Sequence, residues 1–224
     1  LMFYRNGTGA LSGNGTANIN DGGTAFYITG GNTPTISSLV TSGNILLNMG
    51  TNSTLVEWDQ PTGTLSLSAL TGVLGTPNIA NTTVNDLSSG TYRYFIINKS
   101  NASIDKDTEL SGTGSQYFPR VSFISSSIQI ENGFTVTGTE VSQIGIAQRN
   151  FSGSLGVGAI VLNNNGTINL SGESSTGIAG DFATITNAAT GVITVSGDKS
   201  TGIFGANGSL ITNTGSINVS TSGT

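Results

Sequence analysis

A repeat in the last third of the chain constrains the fold more than any other feature of the sequence. The run from Gly166 to Gly172 reads GTINLSG, the run from Gly191 to Gly197 reads GVITVSG, and a third copy begins at Gly215. The first glycines of the copies are 25 and then 24 residues apart. A fixed period of roughly 20–50 residues is the signature of proteins built from stacked repeats. The sequence therefore predicts a solenoid.

Apolar and polar side chains alternate inside each copy of the repeat. Alternation with a period of two predicts a half-buried β-strand, and no helical spacing of apolar residues competes with it here. One coil of short strands cannot cover its own apolar face, but stacked coils can, because each strand pairs with the same strand of the next coil. We predict that Thr194 points outward. The residues predicted to point inward are Ile168, Leu170, Ile193, Val195, Ile217 and Val219.

Asparagine recurs just before the glycine of each copy, at Asn163, Asn187 and Asn213. Equivalent asparagines in stacked coils can form ladders of hydrogen bonds between side-chain amides, as in cross-β stacks. Asparagine is also a common turn residue, because it tolerates a positive φ. The sequence leaves both interpretations open, and both agree with a solenoid.

Three strings, GTINLSG, STGI and NTGSINV, resemble the passenger repeats of large, monomeric type V autotransporter adhesins of Gram-negative bacteria. The resemblance is strongest over residues 130–224, weaker over 10–75 and absent from about 86–125. It implies a right-handed parallel β-helix at the cell surface, held there by a C-terminal outer-membrane barrel of the same chain. We expect this sequence to be a piece of such a protein, because it has no signal peptide and stops inside a repeat.

Composition limits the possible functions. The seven Lys and Arg residues are scattered singly in a chain of net charge −5, which argues against a nucleic-acid partner because phosphate neutralisation dominates such binding. The absence of cysteine excludes disulfides and thiol chemistry. The absence of histidine removes the commonest general base and transition-metal ligand. We therefore expect neither an enzyme nor a cofactor.

Three segments are distinguished by composition and regularity. Residues 1–85 are predicted to form degenerate β-helix coils, and residues 131–224 to form regular coils of about 24–25 residues. Residues 86–130 lack a clear period and are predicted to form either an enlarged coil or an irregular, loop-rich excursion from the solenoid. This middle segment holds eight of the 19 charged residues and six of the 15 aromatic ones, so it is the most suitable place for a binding site.

The candidate binding residues are the aromatic and arginine residues of the middle segment, because binding energy concentrates in such anchors. Alternation over residues 92–97 predicts Phe95 and Ile97 in the core, which would turn Tyr92 and Tyr94 outward. The competing interpretation is that these side chains only cover an irregular coil, with the arginine stems lying over their neighbours. The full set is Tyr92, Arg93, Tyr94, Tyr117, Phe118 and Arg120.

Asp105, Asp107 and Glu109 form the one acidic constellation. In an extended strand the three carboxylates would lie on one face. They could then bind Ca²⁺, or two of them could cleave a glycosidic bond. The interpretation that the sequence favours is a solvated strand edge, where charge discourages pairing with other chains.

The sequence as a whole predicts a segment of a cell-surface adhesin. The β-helix would be a rigid stalk that presents a binding patch to a protein or glycan on a host or bacterial surface. Two alternatives remain at this point. One is an extracellular β-helix enzyme that cleaves glycans, and the other is a spacer with no ligand.

Overall fold

The computed structural model describes residues 3–6, 10–32, 36–71, 79–110, 120–149 and 160–221. It is an all-β parallel β-solenoid, which confirms the predicted fold class. Its right-handedness stays a prediction. In these residues no helix is long and apolar enough to cross a membrane.

Twenty-four strands and the short helix α1 (Leu67–Thr71) make up the described regular structure. The strands are β1 (Phe3–Asn6), β2 (Leu11–Ser12), β3 (Gly15–Ile19), β4 (Thr24–Thr29), β5 (Val40–Ser42), β6 (Ile45–Met49), β7 (Thr54–Asp59), β8 (Thr64–Ser66), β9 (Thr82–Asp86), β10 (Arg93–Asn98), β11 (Asn101–Ile104), β12 (Thr108–Glu109), β13 (Val121–Ile124), β14 (Ser127–Ile130), β15 (Thr135–Gly138), β16 (Ile144–Arg149), β17 (Ile160–Asn164), β18 (Thr167–Leu170), β19 (Thr176–Asp181), β20 (Ala183–Asn187), β21 (Val192–Val195), β22 (Thr201–Ala206), β23 (Leu210–Asn213) and β24 (Ser216–Val219).

The chain divides into two compact units. The first unit is Leu1–Ser100 with Arg120–Phe123, and it contains the sheets β1-β4-β7-β10-β13 and β3-β6-β9 and the pair β2-β5. The second unit is Asn101–Pro119 with Ile124–Thr224, and it contains the sheets β11-β14-β17-β20-β23, β12-β15-β18-β21-β24 and β16-β19-β22. Neighbours in these sheets are always three strands apart in the chain, so within each unit a coil contributes one strand to each sheet.

The core of the second unit follows the predicted register. Ile168 pairs with Ile193, which pairs with Ile217. In the same way, Leu170 pairs with Val195, which pairs with Val219. The residues predicted to be inside in β18 and β21 are fully buried. Val219 is 55% exposed, because among the described residues β24 has a strand neighbour on its β21 side alone. The inward register is thus confirmed, and burial is complete wherever another coil follows.

An asparagine ladder runs through the second unit. Asn164 Nδ2 donates to Asn187 Oδ1 at 2.9 Å, and Asn187 Nδ2 donates to Asn213 Oδ1 at 2.8 Å. The ladder interpretation is confirmed, but its first member is Asn164 and the prediction of Asn163 is wrong. Asn163 pairs in register with Thr186 and donates instead to Gln129 Oε1 at 3.0 Å. Successive residues of a strand face opposite sides of the sheet, so only one of the two neighbours can join the ladder.

The number of residues from one coil to the next is not uniform. Hydrogen-bonded partners are 25 residues apart at Ser175 and Ser200, but 39 apart at Asn52 and Thr91. In the described part of residues 86–130, β10 pairs with β7, β11 with β14 and β12 with β15, always in parallel. The described strands of this segment are therefore paired in the same way as those of the other coils.

Candidate binding site

Strand β10 of the first unit contains two of the candidate binding residues, Arg93 and Tyr94. Phe95 and Ile97 are fully buried and pair in register with Val56 and Trp58 of β7. The predicted core positions of this strand are therefore confirmed. Tyr94, the second residue of the strand, is partly exposed.

Arg120 covers the two tyrosines from the turn that precedes β13. Its φ of 57° is in the left-handed region, and its carbonyl oxygen accepts hydrogen bonds from Tyr94 N at 2.7 Å and Phe95 N at 3.1 Å. Its guanidinium carbon lies 4.4 Å from the centre of the Tyr92 ring and 5.0 Å from that of Tyr94. The ring centres are 5.4 Å apart and the planes are tilted by 59°. A cation over aromatic faces at such distances is attracted by the rings.

Tyr92 is only 6% exposed, so the prediction that both tyrosines turn outward is wrong for this one. The physical reason is Arg120, whose guanidinium lies on the ring and removes it from solvent. Burial, together with the adjacent Tyr94 phenol, raises the pKa of the Tyr92 phenol above its usual range. The phenol therefore stays neutral in the folded protein well above the pH at which an exposed tyrosine ionises.

Asp86, at the end of β9, holds Arg120 in place. Its Oδ2 lies 3.3 Å from Arg120 Nη2, and its Oδ1 accepts hydrogen bonds from Ser88 N, at 2.8 Å, and from Ser88 Oγ. Burial opposes ionisation of this carboxyl, but the hydrogen bonds from Ser88 and the charge of Arg120 outweigh it and lower the pKa of Asp86. Asp86 is thus a fixed anion at neutral pH.

We define the Arg120 patch as Asp86, Leu87, Tyr92, Tyr94 and Arg120. The side chain of Arg120 remains 29% exposed, and Leu87, which follows β9, is 62% exposed. Sequence reasoning found both tyrosines and Arg120 but missed Asp86 and Leu87. Both lie in or next to a strand–turn junction, and no local pattern distinguishes them from ordinary turn residues.

The remaining candidates do not join the patch. Arg93 is partly exposed and pairs in register with Thr54. Tyr117 and Phe118 lie outside the described residues.

Asp105 and Asp107 of the acidic constellation lie in the connection between β11 and β12, and Glu109 lies in β12. β11 ends at Ile104 and β12 begins at Thr108, so Asp105, Asp107 and Glu109 do not share the single extended strand that would place all three carboxylates on one face. Asp107 Oδ1 accepts a hydrogen bond from Thr135 N at 2.8 Å, which ties this corner to the next coil. No group of three or more acidic residues suited to a metal ion occurs in the described ranges.

No protein-family model, curated protein or solved structure matches the chain. The fold and the site define it as a parallel β-solenoid that carries an arginine–tyrosine cluster on its outer surface. The resemblance to autotransporter passengers rests on the repeat strings themselves.

The raised pKa of Tyr92 predicts a loss of stability in alkali. A group whose folded pKa is raised contributes stability that is complete below its unfolded pKa, about 10 for tyrosine, and that is lost as the pH rises above that value. We expect the melting temperature to fall more steeply above about pH 10 in the natural protein than in Tyr92→Phe, which keeps the ring under Arg120. Phenolate absorbance should rise with unfolding. Equal alkaline slopes for the two proteins would contradict this.

Proposed function

We propose that this chain is a segment of a bacterial cell-surface adhesin, in which the solenoid is a stalk and the Arg120 patch contacts the partner. The observation that carries the proposal is the patch itself. It places a partly exposed arginine over a partly exposed tyrosine, and an exposed leucine follows the aspartate that pairs with the arginine. Arginine and tyrosine are enriched among the residues that dominate binding energy. The resemblance of the repeats to autotransporter passengers supports the same function and a cell-surface location.

The regular faces of the solenoid are poorer binding surfaces. The outward positions of β15, β18 and β21 include Thr137, Asn169 and Thr194. These side chains are small and well hydrated, so each contributes little when water is displaced. A partner that gains most of its binding energy from this chain is therefore expected at the patch.

The glycan-cleaving alternative is less well supported. Glycoside cleavage needs a carboxylic acid whose raised pKa lets it donate a proton near neutral pH. The pKa of Asp86, the carboxyl of the patch, is lowered instead, and its oxygens are held by Ser88 and Arg120. We therefore propose a binding function without catalysis and without a cofactor.

Adhesion of protein-coated beads to host or bacterial cells tests this function. The double variant Leu87→Ser/Tyr94→Ser removes the two outward anchors and leaves the buried Tyr92 intact. Its matched control is Val141→Ser/Val161→Ser, which removes two other exposed apolar side chains. We expect bead adhesion to fall about tenfold or more in the first variant and to be unchanged in the control, with both melting temperatures close to that of the natural protein.

Tyr92 is left unchanged in the adhesion experiment because its side chain is buried. Its truncation to alanine would remove a ring packed under Arg120 and would confuse a loss of folding with a loss of binding. Full adhesion by a folded Leu87→Ser/Tyr94→Ser variant would show that the patch is not the binding site. Absence of adhesion by the natural protein would favour the spacer alternative.

A further inference from the structure

We propose that the Arg120 patch recognises an anionic group, a carboxylate or a sulfate, on a saccharide. This inference rests on the proposed adhesin function and names the chemistry of its ligand. It is carried by the unused hydrogen-bonding capacity of the Arg120 guanidinium and by the way the patch fixes its orientation.

Only part of the hydrogen-bond donors of the Arg120 guanidinium are used within the described structure. Arginine carries five N–H donors in a planar fork, and Nη2 of Arg120 bonds to Asp86 Oδ2 at 3.3 Å. Nη1 and Nε have no hydrogen-bond partner among the residues that the structure describes, and the side chain is 29% exposed. A carboxylate or sulfate offers two oxygens with the spacing of such a fork, which gives short, charge-assisted hydrogen bonds.

The guanidinium is also oriented before any ligand arrives. Its carbon lies over the rings of Tyr92 and Tyr94, and the backbone of Arg120 is fixed by hydrogen bonds from β10. Asp86, which holds one edge, is itself fixed by Ser88. A long side chain that is already ordered loses little conformational entropy on binding, so more of the interaction energy remains as affinity.

The local charge leaves room for an anion. The Arg120–Asp86 pair is a single contact between two partly exposed side chains, and ion pairs of that kind are weak. The charge of Arg120 is therefore only weakly neutralised by Asp86 and stays available to an anion.

The surroundings favour a saccharide over a protein surface as the bearer of that anion. Exposed hydroxyl and amide side chains flank the patch at Asn52, Ser89 and Thr91, and Asn52 N donates to Thr91 Oγ1 at 3.2 Å. Such side chains are suited to the hydroxyl groups of a sugar. Leu87 is the one residue of the patch among the exposed large hydrophobic side chains of the described structure, whereas the cores of protein–protein interfaces are more apolar than this.

Calorimetric titration with three probes tests the inference. The probes are sialyllactose for the carboxylate, a heparin disaccharide for the sulfate, and lactose as the neutral sugar. We expect one of the anionic probes to bind at least about tenfold more tightly than lactose, and Arg120→Gln to remove about tenfold of that affinity. Lys199→Gln, which removes a basic side chain paired with Glu173, should leave it unchanged.

A second variant separates recognition from a structural role of Arg120. Asp86→Asn removes the competing negative charge but keeps an amide oxygen that can still accept a hydrogen bond, and the tyrosine rings and the backbone bonds from β10 still orient the arginine. We therefore expect affinity for the anionic probe to rise about threefold or more. A purely structural arginine would give no increase. Equal affinity for anionic and neutral probes, or unchanged affinity in a folded Arg120→Gln variant, would overturn the inference.

Bead adhesion to cells treated with sialidase or heparinase links the result to the proposed function. We expect treatment with one of the two enzymes to reduce adhesion of the natural protein to the level of Arg120→Gln. Adhesion that survives both treatments and the Arg120→Gln change would refute the anionic saccharide while the adhesin function stands. A natural protein that never adheres would instead refute the adhesin function.

Discussion

Replacement of Ile193 by aspartate is expected to unfold the C-terminal coils of the second unit. Ile193 is fully buried and lies between Ile168 and Ile217 in a continuous apolar stack. Ile168 and Ile217, which stack on this position, offer a carboxylate neither a cation nor a hydrogen-bond donor, and an unpaired buried charge costs about 3–5 kcal/mol. Hydrogen exchange over residues 183–221, together with the circular dichroism melting curve, measures the loss.

Thr194→Asp is the matched control for this prediction. Thr194 is the next residue in β21, is partly exposed, and pairs with Asn169 and Asn218 on the outer side of the sheet. Surface substitutions of this kind usually change the free energy of unfolding by about 0.5 kcal/mol or less. If the two variants lost the same stability, the inward and outward assignment of β21 would have to be abandoned.

Replacement of Gly191 by alanine is expected to destabilise the same unit strongly, although it adds one methyl group. A Cβ at this position would overlap the carbonyl oxygen of Asn164 in the preceding coil and the side-chain oxygen of Asn187. The obstructing carbonyl belongs to a backbone held by sheet hydrogen bonds, so it cannot give way cheaply. Overpacking of this kind typically costs about 1–3 kcal/mol. Chemical denaturation, followed by circular dichroism, measures the change in the free energy of unfolding.

Gly15→Ala is the control for this second prediction. No atom lies within 4 Å of a Cβ built at Gly15, and its φ is not in the left-handed region. The added methyl group should therefore be neutral or stabilise the fold by up to about 1 kcal/mol through the unfolded chain. A Gly191→Ala variant as stable as Gly15→Ala would show that close approach of adjacent coils is not what requires glycine in the repeat.

The two predictions explain the repeat from which the fold was inferred. The apolar alternation in each copy provides a stack of buried side chains, and the recurring glycine lets the next coil approach the backbone of the previous one. At Gly215 a Cβ would overlap the carbonyl oxygens of Gly191 and Ala188, which is the same obstruction one coil later. The spacing of 24–25 residues is thus maintained by contacts between coils and not by turn preferences alone.

The sequence by itself determined the features that depend on periodicity. Alternation with period two assigned Ile168 and Ile193 to the core, and the copies of the repeat assigned them to one stack, because strands stacked in register place equivalent residues on the same side. The same alternation placed Phe95 and Ile97 inside β10. These assignments need only local pattern and the requirement that an apolar face be covered.

The tertiary structure decided what depends on residues that are distant in the chain. Pairing with β20 determines that Asn164, and not Asn163, joins the ladder. The partner of Asn164 is Asn187, which lies 23 residues later in the chain. The burial of Tyr92 depends on Arg120, and Arg120 pairs with Asp86, 34 residues before it. No local pattern contains these pairings, because they arise only when one coil is stacked on another and side chains from different corners meet.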